Sequence, residues 1–109
     1  RTMAMTRIHA GICGFATKVE AEMLDEETCA LRITGGCEAM GRLAAELTEV
    51  DPMQQISFRE DIPTVYEKAF AILPHPACPV PAGIVKAIEV AAGLALPAPA
   101  RIEFADPQS

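Results

Sequence analysis

A two-layer α+β domain is the fold class that this sequence predicts: an antiparallel sheet of three strands, with material for a fourth, and helices packed on one face. Two observations carry the expectation. Apolar residues alternate with period two through the first third of the chain, then switch past Gly35-Gly36 to the three-and-four spacing of amphipathic helices. A chain of 109 residues, half of them apolar, is long enough for one such core and too short for two. Residues 1–109 therefore read as a single domain, with residues 1–5 expected as a flexible start and 105–109 as a frayed tail.

Residues 6–12 alternate, setting Ile8, Ala10 and Ile12 on one face and Arg7 and His9 on the other, the pattern of a half-buried strand. Cys13-Gly14-Phe15 breaks it with a glycine turn. Residues 17–23 turn Val19, Ala21 and Met23 inward, and residues 28–34 do the same with Cys29, Leu31 and Ile33. Between them lies an acidic turn, Leu24-Asp25-Glu26-Glu27. Short strands joined by tight turns form a meander with one wet face. Glu20 and Glu22 stand on that face opposite Arg32, where ion pairs contribute little.

From Cys37 onward Met40, Leu43, Ala44 and Leu47 form a helical stripe, which Asp51-Pro52 stops. A turn of helix and a loop are expected through residues 53–59. Ile62, Val65, Tyr66, Ala69 and Phe70 make a second stripe, with Asp61 or Thr64 as its cap and Thr64-x-x-Glu67 as a capping box. Leu73-Pro74-His75-Pro76 ends that helix and forces an extended passage into Ala77-Cys78-Pro79. A third helix carries Ile84, Val85, Ile88, Ala91 and Ala92 inward and ends near Gly93. Residues 100–104 alternate again and are expected as a final edge strand.

Nine Lys and Arg against fifteen Asp and Glu leave a net charge of −6. That balance argues against nucleic-acid and anionic-membrane partners, which need clustered positive charge. There is no apolar run of membrane-spanning length and no basic-then-apolar leader, so a cytoplasmic location is expected. Four cysteines in such a chain point to reduced thiols and to metal or redox chemistry more than to a disulfide frame. No Gly-rich phosphate loop, Ser/His/Asp set or paired general acid and base is present, so binding is expected before catalysis. His9 reads as a solvated residue of the polar strand face.

The cysteines separate by position. Cys29 sits inside an apolar stripe and reads as a small core hydrophobe. Cys13, Cys37 and Cys78 each stand at an element end beside glycine or proline. Cys78 occupies the expected N-cap of the third helix with Pro79 as its first residue, and Cys37 opens the first helix. Helix N-termini favour negative charge, which promotes the thiolate that attacks or binds metal. The spacings are too long for a knuckle-type zinc motif, so a shared site has to be assembled by the fold. On position alone, these are either ligands that meet or three inert junction thiols.

The order strand, Cys-Gly, two strands, Gly-Cys, helix, helix, Leu-Pro, Cys, helix resembles the iron–sulfur cluster scaffold family, the IscU and NifU N-terminal-like proteins. The resemblance spans about residues 12–92. It rests on Cys13-Gly14 with Lys18 five positions on, Gly36-Cys37-Glu38-Ala39 heading a helix, Leu73-Pro74 shortly before Cys78, and Ile84-Val85-Lys86-Ala87-Ile88 in the last helix. Short uncharacterised prokaryotic proteins with Cys-Gly-Phe and Ala-Cys-Pro-Val-Pro stretches are closer still. The resemblance implies an IscU-like fold in which Cys13, Cys37 and Cys78 converge to hold zinc or an iron–sulfur cluster. It also implies partners of the scaffold kind, a cysteine desulfurase and proteins that accept the cluster.

This chain departs from that family at three places. Phe15 stands where the scaffolds carry an Asp that assists cluster release, and Ala77 where they carry a His. Their chaperone-docking loop is reduced to Leu73-Pro74-His75-Pro76. Binding a metal is thereby better supported than handing a cluster on. His75, three residues before Cys78, is a candidate fourth donor as well as a candidate solvated loop histidine. Three thiolates and one further donor suit tetrahedral Zn²⁺ or a cluster corner. The competing expectations are a sulfur carrier with a persulfide on Cys78 or Cys37, and an interaction domain without a metal site.

Overall fold

The computed structural model describes residues 2–108. Its elements run β1 (Met3–His9), β2 (Ala16–Met23), β3 (Cys29–Gly35), α1 (Glu38–Glu46), β4 (Glu49–Val50), α2 (Pro52–Gln55), α3 (Thr64–Ile72) and α4 (Val80–Ala91). The strands form an antiparallel sheet in the order β1-β2-β3-β4, with short turns joining β1 to β2 and β2 to β3 and α1 lying between β3 and β4. The α+β architecture with an antiparallel sheet is therefore as the periodicity indicates.

Register explains the inner face. Val19 pairs with Ile33 and Ala21 with Leu31, so the apolar positions of β2 and β3 share one side. Ala4 and Ile8 of β1 pack at its edge. Onto this face α1 and its C-cap bring Met40, Leu43 and Leu47, and α4 brings Ile84, Ala87, Ile88 and Ala91, all buried. Full burial of each large aliphatic side chain contributes about 1.5–3 kcal/mol. Alanine at two core positions of α4 lets the helix lie close, and Gly83 allows the closest approach. A side chain there would run into Ile8, and the Thr6 hydroxyl donates to the Gly83 carbonyl at 3.0 Å.

Several boundaries differ from the expectation, each for a local reason. β1 begins at Met3, so Met3–Met5 belong to the sheet rather than to a loose start. It also ends earlier, because Gly11 at φ +99° takes the chain out of the sheet. Ile12 is consequently fully exposed at the turn and not inward. The fourth strand is the two-residue β4, paired through Cys29–Val50 and Ala30–Glu49. Residues 100–104 form no strand and lie exposed.

Asp51 does more than stop α1, since its side chain accepts from the Met53 amide at 3.0 Å and starts α2. The N-cap of α3 is Pro63, not Asp61 or Thr64, and proline has no side-chain acceptor. Two glutamines of α2 take over that task. Gln54 Oε1 accepts from the Thr64 amide at 2.9 Å, and Gln55 Oε1 accepts from the Val65 amide at 2.9 Å. Gln55 is buried, so its bond to Val65 satisfies a helix-end donor that water cannot reach.

α3 packs on α1 and α4, and that placement changes which of its residues are covered. Val65 and Ala69 are buried and Ile72 is packed against the core, whereas Ile62 and Phe70 are exposed, against the expected stripe. A helix resting on two others buries a narrower line than one lying on a sheet. Among the described residues no helix is long and apolar enough to cross a membrane.

Candidate functional site

One end of the sheet gathers the features that the sequence singles out. His9 pairs with Ala16 and Thr17 with Gly35, so the end of β1, the start of β2 and the end of β3 meet at one rim. Two chain crossings leave this rim: the turn between β1 and β2, which carries Cys13, and the Gly35-Gly36 link, which leads into Cys37. Ile8, beneath Gly83 in the first turn of α4, is the strand residue next to that rim.

In the β1–β2 turn the Gly14 amide donates to the Gly11 carbonyl at 2.9 Å, and the Ala10 amide to the Phe15 carbonyl at 3.1 Å. Both glycines have positive φ. Cys13 sits at the tip, exposed, with Phe15 about half exposed beside it.

Cys37 is the N-cap of α1, as expected, with extended backbone at φ −80° and ψ 176°. Its carbonyl accepts from the Met40 amide at 3.0 Å, and its thiol makes no cap hydrogen bond. The thiol is half-buried and free. Gly36 sets this geometry at φ +87°. A Cβ there would stand 2.6 Å from Thr17 Oγ1 and 2.9 Å from Met40, so only glycine lets the chain turn from β3 into α1 this tightly.

Cys78 is also half-buried and free. It is not the N-cap of α4, a correction to the sequence reading: Pro79 takes the cap with helical backbone, and the helix begins at Val80. The fixed φ of proline suits that slot as readily as the first helical one, which displaces the thiol outward by one residue. The Cys78 amide donates to the His75 carbonyl at 3.2 Å. That bond closes a turn with His75 and Cys78 at its two ends, a geometry that holds Cα atoms within about 7 Å. His75 itself is exposed.

Cys37 and Cys78 pack against the same apolar core, whereas Cys13 projects from the turn. Among the described residues no three His, Cys, Asp or Glu side chains are gathered closely enough to hold a metal ion. Cys29 is wholly buried, its Sγ 3.8 Å from the Ala30 carbonyl, and burial pushes its thiol pKa up from the ordinary value. It has the environment of a core residue.

A feature of the rim that needs strand register to be seen lies on the open face of the sheet. Arg7 and Lys18 are direct cross-strand partners, with Thr34 next to Lys18 on β3. With Ala16, Thr17 and Gly35 they line a shallow cleft of about 240 Å³. Like charges directly opposite each other repel and leave this corner electropositive in an acidic protein. Alternation in the sequence puts Arg7 and Lys18 on wet faces but does not say that they meet.

The class of protein so defined is a small α+β domain whose glycine-lined sheet rim carries free thiols at turn and helix ends. The chain belongs to a family of unknown function, DUF6951, which spans its residues 4–104. No curated protein and no solved structure matches the chain.

Proposed function

We propose that this protein binds a metal, as zinc or an iron–sulfur cluster, through Cys13, Cys37 and Cys78, with His75 as the fourth donor, in an IscU-like domain. The observation that carries the reading is the shared rim. The β1–β2 turn and the β3–α1 link leave the sheet side by side, and the first turn of α4 lies over Ile8 beside them. The resemblance to the scaffold family supports the same three residues.

The donor set fits the chemistry, since three thiols and an imidazole are the ligands zinc and cluster iron prefer. His75 and Cys78 close one turn and are thereby already neighbours. Ligation asks the β1–β2 turn to fold toward the helix ends. Its tip is hinged by Gly11 and Gly14, with no atoms packed where their Cβ atoms would stand. Three thiolates brought together repel, so without a cation they would take up protons or draw apart, and metal binding would release those protons. Phe15 at this rim makes it drier than the Asp of the scaffolds would. A cysteine desulfurase and cluster-accepting proteins are the partners this reading implies, and the cytoplasm is its compartment.

Anaerobic purification followed by metal analysis, and reconstitution with ferrous iron and sulfide, tests the reading. Zinc, or a cluster with thiolate-to-iron absorption, is expected in the wild type and lost in the triple variant Cys13→Ser/Cys37→Ser/Cys78→Ser. Absence of metal after loading, with all three thiols still freely alkylated, overturns it.

A further inference from the structure

Among the described residues, two exposed apolar surfaces have no partner. The first lies on α3. Phe70 is 92% exposed, and Tyr66, one turn earlier, carries Phe58 edge-on with ring centroids 5.3 Å apart and planes at 62°. Phe58 and Ile62 are themselves largely exposed. The chain has only four phenylalanines and one tyrosine, so three of its five aromatic residues concentrate here. The second surface is the segment through residues 100–104. Arg101 Nη2 and Glu103 Oε2 pair at 2.6 Å, which puts these two side chains on one side of the backbone. Ile102 is 90% exposed and Phe104 fully so, with no core beneath them.

We propose that residues 100–104 of one copy seat on the aromatic face of α3 of a second copy, reciprocally, so that the two chains form a closed dimer. The spacings agree. Tyr66 and Phe70, one helical turn apart, rise about 6 Å along α3. Ile102 and Phe104, two residues apart in an extended segment, are about 6.6 Å apart. The segment thus lays its two apolar side chains beside the two aromatic positions of the helix, with Arg101 and Glu103 left facing water as an ion pair.

Area favours a second copy as occupant. Each aromatic side chain buries about 150–250 Å² when covered. A single contact of this kind is small, but the two-fold exchange doubles it toward the roughly 1,200–2,000 Å² that stable interfaces bury. Reciprocity also closes the assembly at two chains, because each copy offers one segment and one face.

Light scattering on the full chain between about 5 and 500 µM, where dimers of micromolar Kd dissociate, reads the proposal. Wild type is expected to dimerise. Phe70→Glu and Phe104→Glu are each expected to weaken dimerisation at least about 30-fold, the loss typical of a central aromatic anchor. Both residues are exposed, so the variants keep the fold, which circular dichroism checks. Mixing the two variants rebuilds one of the two contacts, through the intact segment of one and the intact helix face of the other, and should give a heterodimer tighter than either variant's own dimer and weaker than wild type. A wild type that stays monomeric overturns the proposal, including the case where the segment is protected against exchange on its own α3. So does a Phe104→Glu dimer as tight as wild type, which would place the contact between α3 faces alone. So does a mixture whose heterodimer is no tighter than the dimers of the separate variants.

Discussion

β3 has a cysteine at each end, and the two could hardly differ more. Cys29 starts the strand, pairs with Met23 on one side and Val50 on the other, and is wholly covered. Cys37 follows the strand across Gly35-Gly36, caps a helix and keeps its thiol half open. At the Cys29 end neighbouring strands and helices close over the side chain, so a thiol behaves as a small hydrophobe. At the Cys37 end glycines replace side chains and the elements diverge, so the same group is left available for chemistry. The difference shows that the reactive prospects of a cysteine here are set by what covers the end of its element, paired strands at Cys29 and glycines at Cys37.

The largest effect expected from testing that contrast comes from the glycines rather than from the cysteines. Gly36→Ala meets both a left-handed backbone and contacts with Thr17 and Met40. Backbone conformation costs about 1–2 kcal/mol and the overpacking about 1–3 more. Gly14→Ala, with positive φ and no atom within 4 Å, should lose only the conformational part. Thermal or urea unfolding of the two variants measures the gap. Equal losses would mean that the Cys37 end is not packed as described.

Next in size is the substitution of the two thiols themselves. Cys29→Ser puts a more strongly polar hydroxyl into a wholly covered site and should destabilise by about 1–3 kcal/mol. Cys37→Ser, at a half-open N-cap where serine is a favoured residue, should change stability by no more than about 0.5 kcal/mol in either direction. Urea midpoints at unchanged slope report both values, and a reversed order would break the comparison.

The contrast between the two thiols was legible in the sequence because periodicity tells where an element runs and where it stops. Cys29 falls within an alternating run, whereas Cys37 follows a Gly-Gly pair at the switch from period two to helical spacing. The inner faces of β2 and β3 and the stripes of α1 and α4 were legible for the same reason. What escaped is set by neighbours that pattern does not encode. β4 has two residues, too few to show a period. Residues 100–104 alternate well, but alternation makes a segment amphipathic and does not supply an adjacent strand. The stripe of α3 assumes a broad surface beneath it, and two helices offer a narrower one. Pro79 could fill either the cap or the first helical position, and the sequence leaves that choice open. Convergence of Cys13, Cys37 and Cys78 would be a matter of tertiary distance, and the common rim of the Cys13 turn and the Cys37 link follows from strand register, which single-strand patterns do not carry.

The smallest effect is a pH dependence that should belong to Cys29. Desolvation raises its thiol pKa above the ordinary value, with a smaller opposing contribution from a hydrogen bond to the Glu22 backbone. In the unfolded chain the same thiol loses its proton near pH 8.5, roughly. Between these two values the folded chain holds the proton and the unfolded chain does not, so rising pH favours unfolding. The contribution is therefore fully present below the unfolded pKa and is lost as pH climbs through the folded one. Wild type should lose stability across pH 8–10 at no more than about 1.4 kcal/mol per pH unit from this group. Cys29→Ala should show a shallower decline over the same window. Parallel slopes for wild type and Cys29→Ala would show that the buried end of β3 opens before its thiol ionises.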